Sequence, residues 1–194
     1  MDTRDKIIQS AIELFGEKGY HATSIQEISD KAEVSKGAVF HYFPNKSELL
    51  FVIHDNFIDI HLEQVERVLM KDDLCASEKM RELILDLVQL IADFKPSVII
   101  FLQEFKYVTE DKLEIIKSKR GKSEEMFKKV IEQGVNSGEF KKDLDIDLTV
   151  KAIFGMCDWT YRWMNPNGRL TPREIGLNFW KILMGGLQVA CRSY

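Results

Sequence analysis

The chain has 194 residues, 45% hydrophobic and 30% charged, a balance that excludes a disordered polymer and supplies a sizeable core for one or two compact domains. Its three cysteines, Cys75, Cys157 and Cys191, form no CxxC pair and offer no disulfide framework, which fits a reducing compartment. The net charge of −4 speaks against a general nucleic-acid coat, so any contact with phosphates has to come from local charge. Asp2, Arg4 and Asp5 stand where the apolar region of a signal peptide would begin. No stretch approaches the ~20 apolar residues that span a bilayer. The expectation is a cytoplasmic, all-α protein without a membrane role.

Thr3 is expected to cap the first helix, with Ile7, Ile8, Ala11, Ile12 and Phe15 on one stripe and Gly19 at its end. Ser24-Ile-Gln-Glu27 has the form of a capping box and opens a short helix, 25–32, with Ile25, Ile28 and Ala32 inward. Glu33-Val34-Ser35 is a turn, after which Ser35 caps a third helix from Lys36 to Phe43. Pro44 stops it, and Asn45-Lys-Ser-Glu48, another capping box, starts a long fourth helix to about Met70, with Leu49, Ile53, Phe57, Ile60 and Gln64 around one side. Further helices are predicted near 77–95, 97–108, 110–137, 145–164 and 172–190, the last introduced by Thr171-Pro172-Arg173-Glu174. The total is about nine helices. They divide into a small three-helix head with its domain boundary at residue 46 and a larger helical body, 47–194.

Two short helices joined by a three-residue turn make a helix-turn-helix. Val34, Val39 and Phe43 turn inward, whereas Lys36 and Phe40, and Gly37 and His41, share the outer side. A cation, a bare glycine backbone and two rings pack poorly against a core but suit a DNA groove. Gly37 and Ala38 let the helix start approach base edges and thymine methyls. Thr23, Ser24, Ser35 and Lys46 stand at helix starts, where backbone N–H groups favour phosphate. The stretches Lys18–Gln26 and Val34–Ser47 contain no acid. Taken singly, Lys36 and Lys46 read as solvated charges, Ser24 and Ser35 as ordinary caps, and Tyr42 equally well as a ring at the rim of the core. The conjunction carries the DNA reading.

Residues 5–51 resemble the N-terminal DNA-binding domain of TetR-family transcriptional regulators. The resemblance rests on Ala11-Ile-Glu-Leu-Phe15, Gly19-Tyr20, Thr23-Ser-Ile25, Ile28 and the run from Val34 through Tyr42, Pro44 and Lys46 to Leu50. It implies that Lys36, Gly37, Ala38, His41 and Tyr42 contact bases and nearby phosphates and that Lys46 holds a phosphate. The position of Phe40 is commonly tyrosine in that family. Phenylalanine has no hydroxyl for a phosphate, so Phe40 is expected to pack on sugar or a methyl group. The resemblance further implies a homodimer that binds double-stranded operator DNA, usually as a repressor, and releases it on binding a small ligand.

The body has the parts such a protein needs. In the helix near 145–164, Val150, Ile153, Phe154, Cys157, Tyr161 and Met164 form one apolar stripe, and Ala152, Met156, Trp159 and Trp163 a second. The last helix is likewise apolar on two sides, so each helix has to be buried twice. Either a four-helix interface with two-fold symmetry, assigned to Phe154, Cys157, Tyr161, Phe179, Leu183 and Gly186, or the interior of a monomer would bury them. Phe57, Phe101, Leu102, Phe105, Trp159 and Trp163 either line an apolar effector cavity or are plain core, and Arg162 either pairs with Asp158 or offers the effector a polar handle. Lys117, Lys119, Arg120 and Lys122 form an acid-free cluster that would suit ligand phosphates or a solvated helix face.

The segments Trp159-Thr-Tyr-Arg-Trp163 and Pro166-Asn-Gly-Arg-Leu-Thr-Pro172 are similar to TetR-family regulators of lipid and steroid catabolism. That likeness implies a fatty acyl-CoA effector; a multidrug-type apolar ligand is the alternative. An enzyme is not expected, because no HExxH, GxSxG, P-loop or GxGxxG motif occurs, and neither a cofactor nor a metal is predicted. His54 and His61, seven apart on one helix face, read as half a metal site or as core-rim histidines.

Overall fold

A computed structural model describes residues 2–165 and 167–185. They form α1 (Thr3–Lys18), α2 (Ile25–Lys31), α3 (Lys36–Tyr42), α4 (Lys46–Leu69), α5 (Ala76–Asp93), α6 (Lys95–Gln103), a 3-10 turn (Phe105–Tyr107), α7 (Glu110–Ser137), α8 (Ile146–Asp158), the single-turn α9 (Thr160–Trp163) and α10 (Pro172–Gly185). Among the described residues there is no strand, and no helix is long and apolar enough to cross a membrane. The chain divides into two compact units. One comprises residues up to Ile60 together with Phe94–Gly121, the other His61–Asp93 and the chain from Lys122 onward.

Local chemistry sets most of the boundaries. Asp2, not Thr3, caps α1, its carboxylate accepting from Asp5 N at 2.8 Å. The capping box at α2 is complete: Glu27 N donates to Ser24 Oγ at 3.2 Å, and Ser24 N donates to Glu27 Oε2 at 2.8 Å. The box expected at α4 is half made. Asn45 Oδ1 accepts from Glu48 N at 2.8 Å, while the Glu48 carboxylate pairs with Lys112. At α10 the box is complete, with Thr171 Oγ1 accepting from Glu174 N at 3.2 Å and Glu174 Oε2 accepting from Thr171 N at 2.8 Å.

In the first unit, Ile7, Ala11 and Phe15 of α1, Ile28 of α2, Val39 of α3, Phe43 and Leu49 are buried and form the heart of the head. The turn between α2 and α3 carries Glu33 at φ 56°, a left-handed conformation unusual for a residue with a side chain. α1 also packs on α6, where a Cβ at Gly16 would stand 3.3 Å from Pro96 Cβ, so glycine permits the close approach. The helix expected over 97–108 stops at Gln103. The 3-10 turn that follows lets Tyr107 reach Tyr20 and His21, with ring centroids 5.5 and 4.0 Å away.

In the second unit α10 lies against α5, at the closest point with a Gly176 Cβ position 3.2 Å from Leu85 Cα. The Trp180 indole N–H donates to Ser77 O at 3.3 Å. The start of α5 is capped from a distant part of the chain: Glu139 accepts from Ser77 N at 2.9 Å and Ala76 N at 3.3 Å, and from Ser137 Oγ at 2.8 Å. Those bonds, the one from Ser77 N first, hold the Glu139 carboxyl at a pKa of about 2. Glu139 follows the turn at Gly138 (φ 82°), and behind it the Phe140 ring covers Gly134. The helix expected over 145–164 breaks at Trp159, because the buried Thr160 hydroxyl donates to Cys157 O at 2.6 Å. Residues 186–190 of the predicted last helix lie outside the described residues.

Candidate nucleic-acid interface

α3 is amphipathic in the sense the sequence predicts. Val39 and Phe43 are buried, whereas Lys36, Gly37, His41, Phe40 (43% exposed) and Tyr42 (42%) face outward and Ala38 is half-buried. Tyr42 is therefore an outer ring, set edge-on to His41 at 5.2 Å, and not a rim residue of the core. Ser35 Oγ accepts from Ala38 N at 3.1 Å, and no acid stands in the first turn of α3. Around a Cβ built at Gly37 the nearest atom is Ser35 Oγ at 3.8 Å. The fold itself does not require glycine there.

The other residues expected at this surface have structural partners. Thr23 is buried, its hydroxyl 2.9 Å from Gly19 O and 3.3 Å from Leu14 O, so its side chain cannot face a phosphate. Ser24 is exposed but gives its hydroxyl proton to Glu27 Oε2 at 2.8 Å. The Glu27 carboxylate is itself held at a pKa of about 2, first by its bond with Lys18 and then by those with Ser24. Lys46 departs most from expectation. Its ammonium donates to Tyr20 O and Thr23 O, both at 2.8 Å, and lies 4.3 Å from the centre of the Tyr20 ring. Burial pushes its pKa down. Lys46 is a strut that closes the 20–23 loop onto α4, because two of its three N–H donors are committed there.

The residues expected to bind an effector separate into two groups. Phe57, Phe101 and Phe105, with half-buried Leu102 beside them in sequence, belong to the first unit, where Phe57 and Phe101 lie 5.1 Å apart. Two residues that sequence reasoning did not assign to this site lie against these rings. His54 is fully buried, 5.4 Å from Phe101 and 6.2 Å from Phe105. The Arg120 guanidinium lies over the same two rings at 5.4 and 5.9 Å. Burial, and then the charge of Arg120, hold the His54 pKa at about 4. Trp159 (57% exposed), Trp163 (50%) and Arg162 instead lie on the surface of the second unit, with Arg162 stacked on Trp159 at 5.3 Å.

The two stripes of α8 differ in burial. Val150, Ile153 and Cys157 are buried, and half-buried Phe154 meets Phe127 at 4.8 Å and His61 at 6.1 Å. Tyr161, Phe179 and Leu183 are half-buried, and Gly186 lies outside the described residues. The exposed apolar stripe is Leu148, Ala152, Trp159 and Trp163, accompanied by Ile182 and Met184 of α10. Both stripes are apolar, so periodicity alone does not tell an inner face from an outer one. Among the described residues no group of three or more His, Cys, Asp or Glu side chains is placed to hold a metal ion.

Known proteins share this arrangement. Residues 7–53 match the family described as bacterial regulatory proteins, tetR family, and residues 73–187 match the tetracyclin repressor-like C-terminal domain. The chain is 26% identical over 187 residues to the HTH-type transcriptional repressor KstR2 of Mycolicibacterium smegmatis, covering 95% of this chain and 90% of that one. It is 29% identical over 190 residues to the fatty acid metabolism regulator protein of Bacillus subtilis, covering 94% of each. The crystal structure of AibR in complex with isovaleryl coenzyme A and operator DNA matches at a TM-score of 0.85 and 27% identity, over 94% of this chain and 98% of that one. With a head and a body that both match, the chain belongs to the TetR family of bacterial transcriptional regulators.

Proposed function

We infer that the protein is a cytoplasmic, homodimeric repressor that binds a palindromic operator and leaves it when a fatty acyl-CoA binds. The observation that carries the DNA reading is the outer face of α3, where Lys36, Gly37, Phe40, His41 and Tyr42 stand clear of the core over buried Val39 and Phe43. Residues 1–46 are the DNA-binding domain. α3 enters the major groove, Gly37 and Ala38 approach base edges, Lys36 and Tyr42 meet phosphates, and Phe40 packs on sugar or a thymine methyl. Residues 47–194 bind the effector and the second subunit. The partner covers the exposed stripe of α8 and α9, and two-fold symmetry sets the half-sites one helical turn or a multiple apart.

The effector class is supported by the likeness to a fatty acid metabolism regulator and to a protein crystallised with an acyl-CoA, together with a cluster of aromatic rings in the first unit. The test is binding of the purified protein to DNA from upstream of its own gene, at stated salt, with and without palmitoyl-CoA. Specific binding that palmitoyl-CoA weakens is expected. Specific binding released only by multidrug-type apolar cations would replace the effector class and keep the regulator.

A further inference from the structure

Four cations stand between Ile115 and Ser123, and three of them are paired. Lys117 meets Glu114, Lys119 meets Asp55 and Asp59, and Lys122 meets Glu66. Among the described residues Arg120 alone of the four has no carboxylate; its guanidinium lies on the faces of Phe101 and Phe105. The same two rings flank His54, which is fully buried and has no hydrogen-bond partner for either ring nitrogen among the described residues. A buried imidazole without partners is costly, and a phenylalanine or leucine would fill the place without that cost. The unmade N–H bond of His54 and the charge of Arg120 both call for an acceptor, and one electron-rich oxygen beside the two would serve both.

We propose that His54 and Arg120 form the polar anchor of the effector site and receive the acyl oxygen of a long-chain ligand, a thioester carbonyl or a carboxylate. The inference rests on the acyl effector reading above and places its head group. Phe57, Phe101 and Phe105 supply apolar walls for the chain next to that oxygen. The neutral imidazole, held so by burial and by Arg120, offers one N–H donor. The positive charge of Arg120 favours an electron-rich oxygen and excludes a cationic head group.

The test uses the full-length protein on its operator, with palmitoyl-CoA and palmitate as probes, and compares wild type with His54→Phe, Arg120→Met and Arg120→Lys. Phenylalanine fills the buried place of His54 and removes its donor. Both His54→Phe and Arg120→Met are expected to bind operator as wild type does without probe, yet to need about tenfold or more of the probe for release. Arg120→Lys, which keeps the charge, recovers part of the response. Release of wild type by palmitoyl-CoA alone assigns the thioester carbonyl; release by both probes assigns the carboxylate as well. Should His54→Phe fail to fold, Arg120→Met, at a half-exposed position, carries the test. Wild-type release with unchanged release of both variants overturns the anchor and leaves the effector class standing. A wild type that binds operator and responds to neither probe overturns the acyl effector and the anchor with it.

Discussion

Tyr20 of the head stacks on Tyr107, with ring centroids 5.5 Å apart and planes 14° from parallel. His21 closes edge-on against Tyr107 at 4.0 Å, and Glu104 Oε1 accepts from Tyr20 N at 3.4 Å. Two residues before Tyr107 in the same 3-10 turn, Phe105 meets His54 and Arg120. One short turn thus holds a ring beside the proposed effector anchor and a ring against the helix-turn-helix head.

Replacing Tyr107 by leucine is therefore expected to blunt the response without abolishing DNA binding. Removing its ring contacts with Tyr20 and His21 costs about 0.5–1.5 kcal/mol each, which the fold should withstand. Effector coupling in such proteins is typically about 1–3 kcal/mol, or about 5–150-fold in affinity. In Tyr107→Leu the ratio of operator affinities without and with palmitoyl-CoA should shrink toward unity. An undiminished ratio would show that this turn does not transmit the signal.

Gly37→Ala separates folding from recognition. The fold has room for the methyl group, and alanine is favoured over glycine in a helix interior by about 0.5–1 kcal/mol. The variant should melt at the same or a higher temperature and bind operator roughly tenfold more weakly, because the methyl would stand between helix and base edges. Unchanged operator affinity would move the groove contact away from the start of α3.

Lys46→Met tests the strut. Loss of two charge-assisted bonds to backbone carbonyls should lower stability by roughly 1–3 kcal/mol, discounted because the side chain is partly exposed. A lysine on a phosphate behaves differently, since its removal lowers the slope of log affinity against log salt by about 1. The melting temperature is expected to fall and the salt slope to stay. The reverse pattern would restore Lys46 to the phosphate backbone.

The exposed stripe of α8 and α9 is the face proposed for the second subunit. A double substitution, Trp159→Ser with Trp163→Ser, should weaken the dimer by about 2 kcal/mol or more, visible in sedimentation equilibrium. Cys157→Ser, inside the unit, should lower the melting temperature and leave the dimer intact. Equal effects of the two changes on dimerisation would contradict the assignment.

The cap from Glu139 gives stability a pH dependence of known sign. The folded carboxyl titrates near 2 against an ordinary 4.5. Its contribution is thus fully present above about pH 4.5 and is lost as pH falls toward 2. Glu139→Ala should cost about 1 kcal/mol at pH 7, or less because the carboxylate is exposed. The gap between the two melting curves should close below pH 4.5.

Much of this was legible in the sequence because it is local. The capping pairs Ser24–Glu27 and Thr171–Glu174 and the burial of Val39 and Phe43 depend on neighbours three or four residues away. Other features depend on partners that spacing does not reveal. Lys46 turns inward because the carbonyls of Tyr20 and Thr23 lie beside it in the fold. The Glu48 carboxylate leaves its own helix start for Lys112. Ile153 and Cys157 are buried in the core and Trp159 is exposed, a choice between two equally apolar stripes that only packing makes.

A Cβ added at Gly134 would stand 2.3 Å from a carbon of the Phe140 ring, so a side chain there must lift the ring. Phe140 follows Glu139 directly, and Glu139 holds the first amides of α5, 62 residues away in sequence from Ser77. The end of one helix and the beginning of another therefore open as a single cooperative element. Amide hydrogen exchange would report a lesion at Gly134 as fraying at Ala76 and Ser77, far along the chain from the altered residue.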